Sequence, residues 1–89
     1  MSDMVAIIRA TRQSAAAVES IAKWQREIRH AEKSIAWHAM QKARGLMSGS
    51  CASQLDTIAS ADIIHATRCL KKARGRYEQA QSILAQNPI

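Results

Sequence analysis

Ile21-Ala22-Lys23-Trp24-Gln25-Arg26-Glu27-Ile28-Arg29-His30-Ala31-Glu32-Lys33-Ser34-Ile35 carries isoleucine at every seventh position, and Ile7 lies two heptads before the first of them. Seven residues make nearly two helical turns, so side chains at this spacing return to the same side of an α-helix. The stretch predicts a long helix with one narrow apolar seam that something else must cover. Outward from it, no proline or glycine occurs before Gly45. Residues 3–46 therefore read as one helix of about 65 Å, at 1.5 Å per residue. Ser2 is placed to cap it, with Asp3 favourable in the first turn. Thr11 to Ser14 are weak helix formers, but Ala15-Ala16-Ala17 carries the helix through. Glu19 and Lys23 have the i,i+4 spacing of a supporting ion pair. Lys42 and Arg44 sit in the last turn and Gly45 follows them, the usual signature of a helix end.

A second seam steps in threes and fours through Leu55, Ala59, Ile63, Ala66, Leu70, Ala73, Tyr77, Ala80 and Leu84. It predicts a helix over 54–86, capped by Ser53 with Asp56 three residues on and stopping before Asn87-Pro88. Gly75 inside it costs roughly 1 kcal/mol against alanine, which points to a close neighbour or a bend. Leu46 to Ala52 form the turn. So short a connection makes the helices antiparallel neighbours, and the greater length of the first leaves one end protruding. Lys42-Ala43-Arg44-Gly45 recurs as Lys72-Ala73-Arg74-Gly75, but the flanks do not match and no repeat architecture follows. The fold class is all-α: one domain, 1–89, a coiled-coil-like antiparallel hairpin of two long helices. The hairpin is expected to assemble into a helical-bundle oligomer through Ile21, Trp24, Ile28, Ile35, Leu55, Ile63, Leu70, Tyr77 and Leu84.

Composition supports this reading. Phe is absent and aromatic residues make up 3% of the chain, too few for an ordinary mixed core, while alanine is abundant. A chain of 89 residues buries proportionally little surface as a monomer. Two cysteines, Cys51 and Cys69, build no disulfide framework, so oligomerisation is the expected remedy. The start of the chain does not read as a signal peptide, and no apolar run approaches the roughly 20 residues that span a bilayer. A cytoplasmic protein with reduced thiols is expected. Thirteen Lys and Arg against seven Asp and Glu give a formal charge of +6, which suits nucleic acid, an acidic protein face, or simple solubility.

Projected at 100° per residue, Ile21, Trp24, Ile28, Ile35, Ala39 and Leu46 cluster on one side of the first helix. Arg12, Lys23, Arg26, His30, Lys33, Trp37, Gln41 and Arg44 fall on the other, with Glu19 among them. Trp24 is thus a core residue and Trp37 is not. An indole among cations has the chemistry of a binding hot spot, with Arg26, His30, Lys33, Met40 and Arg44 around it. It is equally able to stack on a base, or to pack inside a homo-oligomer. Arg68, Lys71, Lys72, Arg74 and Arg76 form the densest basic run. They spread round the second helix, lack any DNA-binding motif, and supply the alternative, nucleic-acid-binding set.

Glu27-Ile28-Arg29-His30 and Asp62-Ile63-Ile64-His65 both fit acid-x-x-His, a pattern found in di-iron bundles. Both pairs point away from the apolar seams, whereas such ligands face the bundle interior, and the acid is Asp in the second copy. No metal and no cofactor are expected. Asp62, His65 and Cys69 share a flank, which reads as a half-buried polar edge. No glycine-rich phosphate loop or nucleophile elbow is present. Cys51 has no histidine near it in sequence, and an approach of His38 to His65 is the one route left to a catalytic pair. The chain is therefore not expected to be an enzyme.

In size and layout the chain resembles the small helical antirepressors of temperate phages and prophages. The likeness rests on the compact helical hairpin, the Ile21-Ile28-Ile35 seam, and Trp37 among Arg26, Lys33 and Arg44. It implies a protein that binds a transcriptional repressor and takes it off its operator. Phage-encoded inhibitors of host enzymes share the same general appearance.

Overall fold

The computed structural model describes residues 3–88. Two helices, α1 (Met4–Ala43) and α2 (Gly49–Gln86), pack side by side as an antiparallel hairpin, with no strand among the described residues. The result is a rod of 68 × 15 × 14 Å. Neither helix is long and apolar enough to cross a membrane.

The helix ends follow from side-chain and backbone chemistry. Asp3 is the N-cap of α1: its carboxylate accepts from the backbone N–H groups of Val5 (3.1 Å) and Ala6 (3.2 Å), two donors that the helix cannot satisfy itself. Ser2, the expected cap, lies outside the described residues. At the other end Gly45 takes φ +73°, and the Leu46 and Gly45 N–H groups close onto the carbonyls of Gln41 and Lys42. This left-handed glycine closure ends α1 three residues before the expected boundary. Ser48, not Ser53, caps α2, its Oγ accepting from the Cys51 N–H at 3.1 Å. The turn therefore shrinks to residues 44–48, α2 gains a turn, and the helices come out nearly equal at 40 and 38 residues. The expected protruding end does not exist.

The centre of the hairpin differs from the expected one. Ala52, Ala59, Ala66, Ala73 and Ala80, one per heptad, are all buried in α2, and Ala10, Ala17 and Ala31 are buried in α1. The Asp3 N–H donates to the Asn87 side chain at 3.2 Å and fixes the level of the two helices at their open end. Counting in sevens from there brings Ala10 level with Ala80, Ala17 with Ala73 and Ala31 with Ala59. A methyl group is the only side chain at these crossings, so the backbones approach at the close end of the 8–10 Å range for packed helices. Nothing larger fits between them. Ile21, Ile28 and Ile35 are consequently pushed to the edge of the seam and stay half-buried, as do Ile63, Tyr77 and Leu84. Ile7 and Leu70 are the large apolar side chains that the seam encloses among the described residues.

Two bulky residues occupy the alanine row of α1. Trp24, level with Ala66, leans outward: its ring meets the His65 ring edge-on at 5.5 Å, and Lys23 Nζ sits 4.7 Å from its centroid. Lys23 thus takes a cation–π contact instead of the expected pair with Glu19. His38, level with Ala52, is buried, and its Nδ1 donates to the Asp56 carboxylate at 2.9 Å. Asp56 belongs to the Ile63, Leu70, Tyr77 and Leu84 row, so one polar pair replaces an apolar contact next to the turn. A polar pair with its imidazole buried between the helices penalises a shift in register. Its role is not the helix cap that its spacing from Ser53 suggested.

Gly75 is exposed, and a Cβ built there meets nothing within 4 Å. No neighbour requires the glycine. Gly75→Ala should therefore stabilise the hairpin by up to about 1 kcal/mol, whereas Ala73→Leu, two residues away at a fully buried crossing, should cost roughly 1–3 kcal/mol. Urea unfolding followed by circular dichroism measures both, and equal effects at the two sites would contradict the alanine seam. Asp56→Ala leaves the buried His38 nitrogen without its partner and should cost about 1 kcal/mol in the same assay, Asp56 being part-exposed.

Candidate partner-binding surface

The outer side of α1 is built from two adjacent heptad rows. Arg26, Lys33 and Met40 form one, and His30, Trp37 and Arg44 the other. An α-helix brings such rows side by side, so the six residues share a strip about 27 Å long. All six are exposed, Trp37 at 53% and Met40 at 49%. The strip lies on the outer flank of α1: Trp37 stands about 200° round the helix from Ile35 and about 100° from the buried His38, and His30 at its near edge also lines the side groove shared with α2.

Trp37 is nevertheless tied to the seam. Its ring meets the His38 imidazole edge-on, centroids 5.9 Å apart. The chain Asp56–His38–Trp37 thus runs from the polar pair between the helices to the outer surface. Beside the indole lies a shallow open groove of about 260 Å³, lined by His30, Lys33, Ser34, Trp37 and His38. Ser34 does not face a ligand with its hydroxyl, which donates to the His30 carbonyl at 3.1 Å. Among the described residues the one ion pair is His38–Asp56, so no carboxylate lies within 4 Å of Arg26, Lys33 or Arg44. The strip therefore offers an apolar plate rimmed by cations whose charge is not neutralised internally.

The alternative basic set also faces solvent. Arg68, Lys71, Lys72, Arg74 and Arg76 are all exposed and have no carboxylate partner among the described residues. They wrap more than half of the way round α2 at about 100° per residue, so no single surface presents all five. The Arg76 carbonyl accepts from Gln13 Nε2 at 3.4 Å, which leaves its guanidinium uninvolved.

The remaining polar candidates separate. His65 sits against Trp24, and His38 against Asp56, so the two histidines do not meet. Cys69 Sγ lies 3.6 Å from His65 Nε2, but Asp62 joins no such contact. Glu27, His30 and Asp62 line one side groove with Ser34, Leu55 and Ile58. Among the described residues no three His, Cys, Asp or Glu side chains are grouped closely enough to hold a metal ion. Cys51 is exposed at the first turn of α2, with no histidine bonded to it. The pair that expectation missed is His38–Asp56. Its signal is present in the chain, since counting in sevens from Ala10, Ala17 and Ala31 lands on His38.

Compared with known proteins, the chain matches no family model, no curated sequence and no solved structure.

Proposed function

We propose that this chain is a non-enzymatic protein-binding module of the cytoplasm that captures a partner protein and inactivates it stoichiometrically. The observation that carries the reading is Trp37, half-exposed among cations that no carboxylate neutralises. Leaving an indole in water is unfavourable, and tryptophan and arginine are the residues most enriched among those that dominate binding energy. Met40 adds adaptable apolar area beside it. An acidic partner surface with an apolar pocket at its centre suits this strip: the pocket takes the indole, and its carboxylates meet Arg26, Lys33 and Arg44. The partner we favour is a transcriptional repressor, as the resemblance to the small helical antirepressors implies. A host enzyme inhibited in the same way is the variant of this reading.

Capture from host extract with mass spectrometry identifies the partner, and for a repressor an operator gel shift then tests the outcome. Added at equal molarity, the chain should release the repressor from DNA. Trp37→Ala should weaken capture by more than about 1 kcal/mol, roughly a fivefold rise in Kd or more, with far-UV circular dichroism unchanged. Unaltered capture by that variant would retire Trp37 from the role.

The second reading is a nucleic-acid module, favoured by the five exposed, unpaired cations Arg68, Lys71, Lys72, Arg74 and Arg76. It requires affinity for DNA or RNA that falls steeply as salt rises, because each neutralised phosphate releases counterions. A gel shift at two salt concentrations decides it: no retardation at low salt excludes the reading.

A further inference from the structure

We propose that a second copy of the chain lies in the groove edged by the isoleucines, turned end for end, to complete an antiparallel four-helix bundle. The hairpin has two long faces on which both helices show, and they differ. On one, a groove is lined by Lys42 together with Asp56. Counted in sevens, Lys42 belongs to the row of Ile21, Ile28 and Ile35, and Asp56 to that of Ile63, Leu70, Tyr77 and Leu84. Both apolar rows therefore edge the same face. On the other, the carboxylates Glu27 and Asp62 and the Ser34 hydroxyl are interleaved with Leu55 and Ile58. Trp24, which leans towards His65, and Leu55 belong to this second face and leave the set of interface residues that the seams first suggested.

The exposed area calls for a partner. The chain presents 6573 Å², against about 5,200 Å² for a compact monomer of its mass. The excess is more than the roughly 800 Å² per subunit that a stable interface covers. Along this face Ile21, Ile28, Ile35, Ile63, Tyr77 and Leu84 are half-buried by one hairpin, and α1 adds Met4 and Val18, each more than half exposed.

Shape selects both the occupant and its direction. Near the open end this face is bulky, with Met4, Val18, Tyr77 and Leu84. Near the turn it is hollow: an open groove of about 660 Å³ has Ala39, Ala52, Ser53 and Ser60 along it, with Lys42, Asp56 and Ile64 at its sides. The same chain carries both the projections and the space for them. A second copy laid parallel would set bulk against bulk and leave the hollow empty; reversed, each bulky half fills the other's hollow. Around such a two-fold axis Ile21 of one copy comes level with Ile28 of the other. Trp37 stands on the far side of α1, so both indole strips remain on the outside.

Sedimentation equilibrium of the native chain should give about 20 kDa, twice the chain mass. Ser60→Arg places a charged side chain in the hollow at an exposed position that the single hairpin tolerates. It should raise the dimer Kd by about tenfold or more while helicity is kept. Trp37→Glu should leave the mass unchanged. Spin labels on Cys51 in a Cys69→Ser background should sit about 45 Å apart in the reversed dimer, against less than about 25 Å in a parallel one. A monomer, a dimer indifferent to Ser60→Arg, a mass lowered by Trp37→Glu, or the short distance would each overturn the proposal. It stands independently of partner capture: a dimer that binds no protein refutes only the proposed function, and a monomer that binds one refutes only the dimer.

Discussion

Close approach of two backbones along a row of alanines is the constraint from which the rest of this molecule follows. Methyl groups at three of the five crossings bring the helices together, and at the other two Trp24 leans outward while His38 is held by Asp56. Large apolar residues are therefore displaced to the two edges, where one hairpin half-covers them. A core of alanines contributes little hydrophobic stabilisation per residue, since burial scales with apolar area. The hairpin is consequently tight in geometry and thin in energy, and its half-covered isoleucines are a consequence of the same choice that makes it tight.

Polar chemistry is used at both ends of the rod to hold one alignment. At the open end the Asp3 N–H reaches Asn87, while the Asp3 carboxylate caps α1. Near the turn the buried His38 is held by Asp56. Alanine rows are nearly featureless along their length, so a slide by one heptad would bring equivalent methyls together. These polar contacts, with Gln81 Nε2 donating to Ser14 Oγ at 3.0 Å and Gln13 Nε2 to the Arg76 carbonyl, distinguish the true level from the shifted one. His38 also touches Trp37, which links alignment of the seam to the posture of the most exposed aromatic residue. Disturbance of the pair would thus be felt on the outer strip as well as between the helices.

The outer strip and the isoleucine face are separate resources of one helix. Arg26, Lys33 and Met40, with His30, Trp37 and Arg44, use the outer flank of α1, and the isoleucine row uses the flank opposite. A straight helix of 40 residues has enough circumference for both without competition. The cations of the strip find no carboxylate within the chain, in keeping with its excess of basic over acidic residues.

The heptad pattern, the absence of helix breakers before Gly45 and the brevity of the connection were enough to read two long antiparallel helices directly from the chain. So was the outward position of Trp37, because the helical period places it opposite Ile35 whatever the partner helix does. The centre of the seam was not legible in this way. Isoleucine dominates any hydrophobicity count, and alanine registers there as filler, although Ala52 to Ala80 repeat without a break. Which of two neighbouring rows becomes the buried one depends on how close the backbones come, and that distance is a property of the pair. The same holds for Ser48 against Ser53 as the cap and for Asp56 as a partner of His38: local spacing offered each residue a role, and only the position of the opposite helix chose between them. The chain by itself determined helix and direction, which are local and periodic; the tertiary structure decided helix ends, register, burial and polar pairing, which depend on the opposite helix.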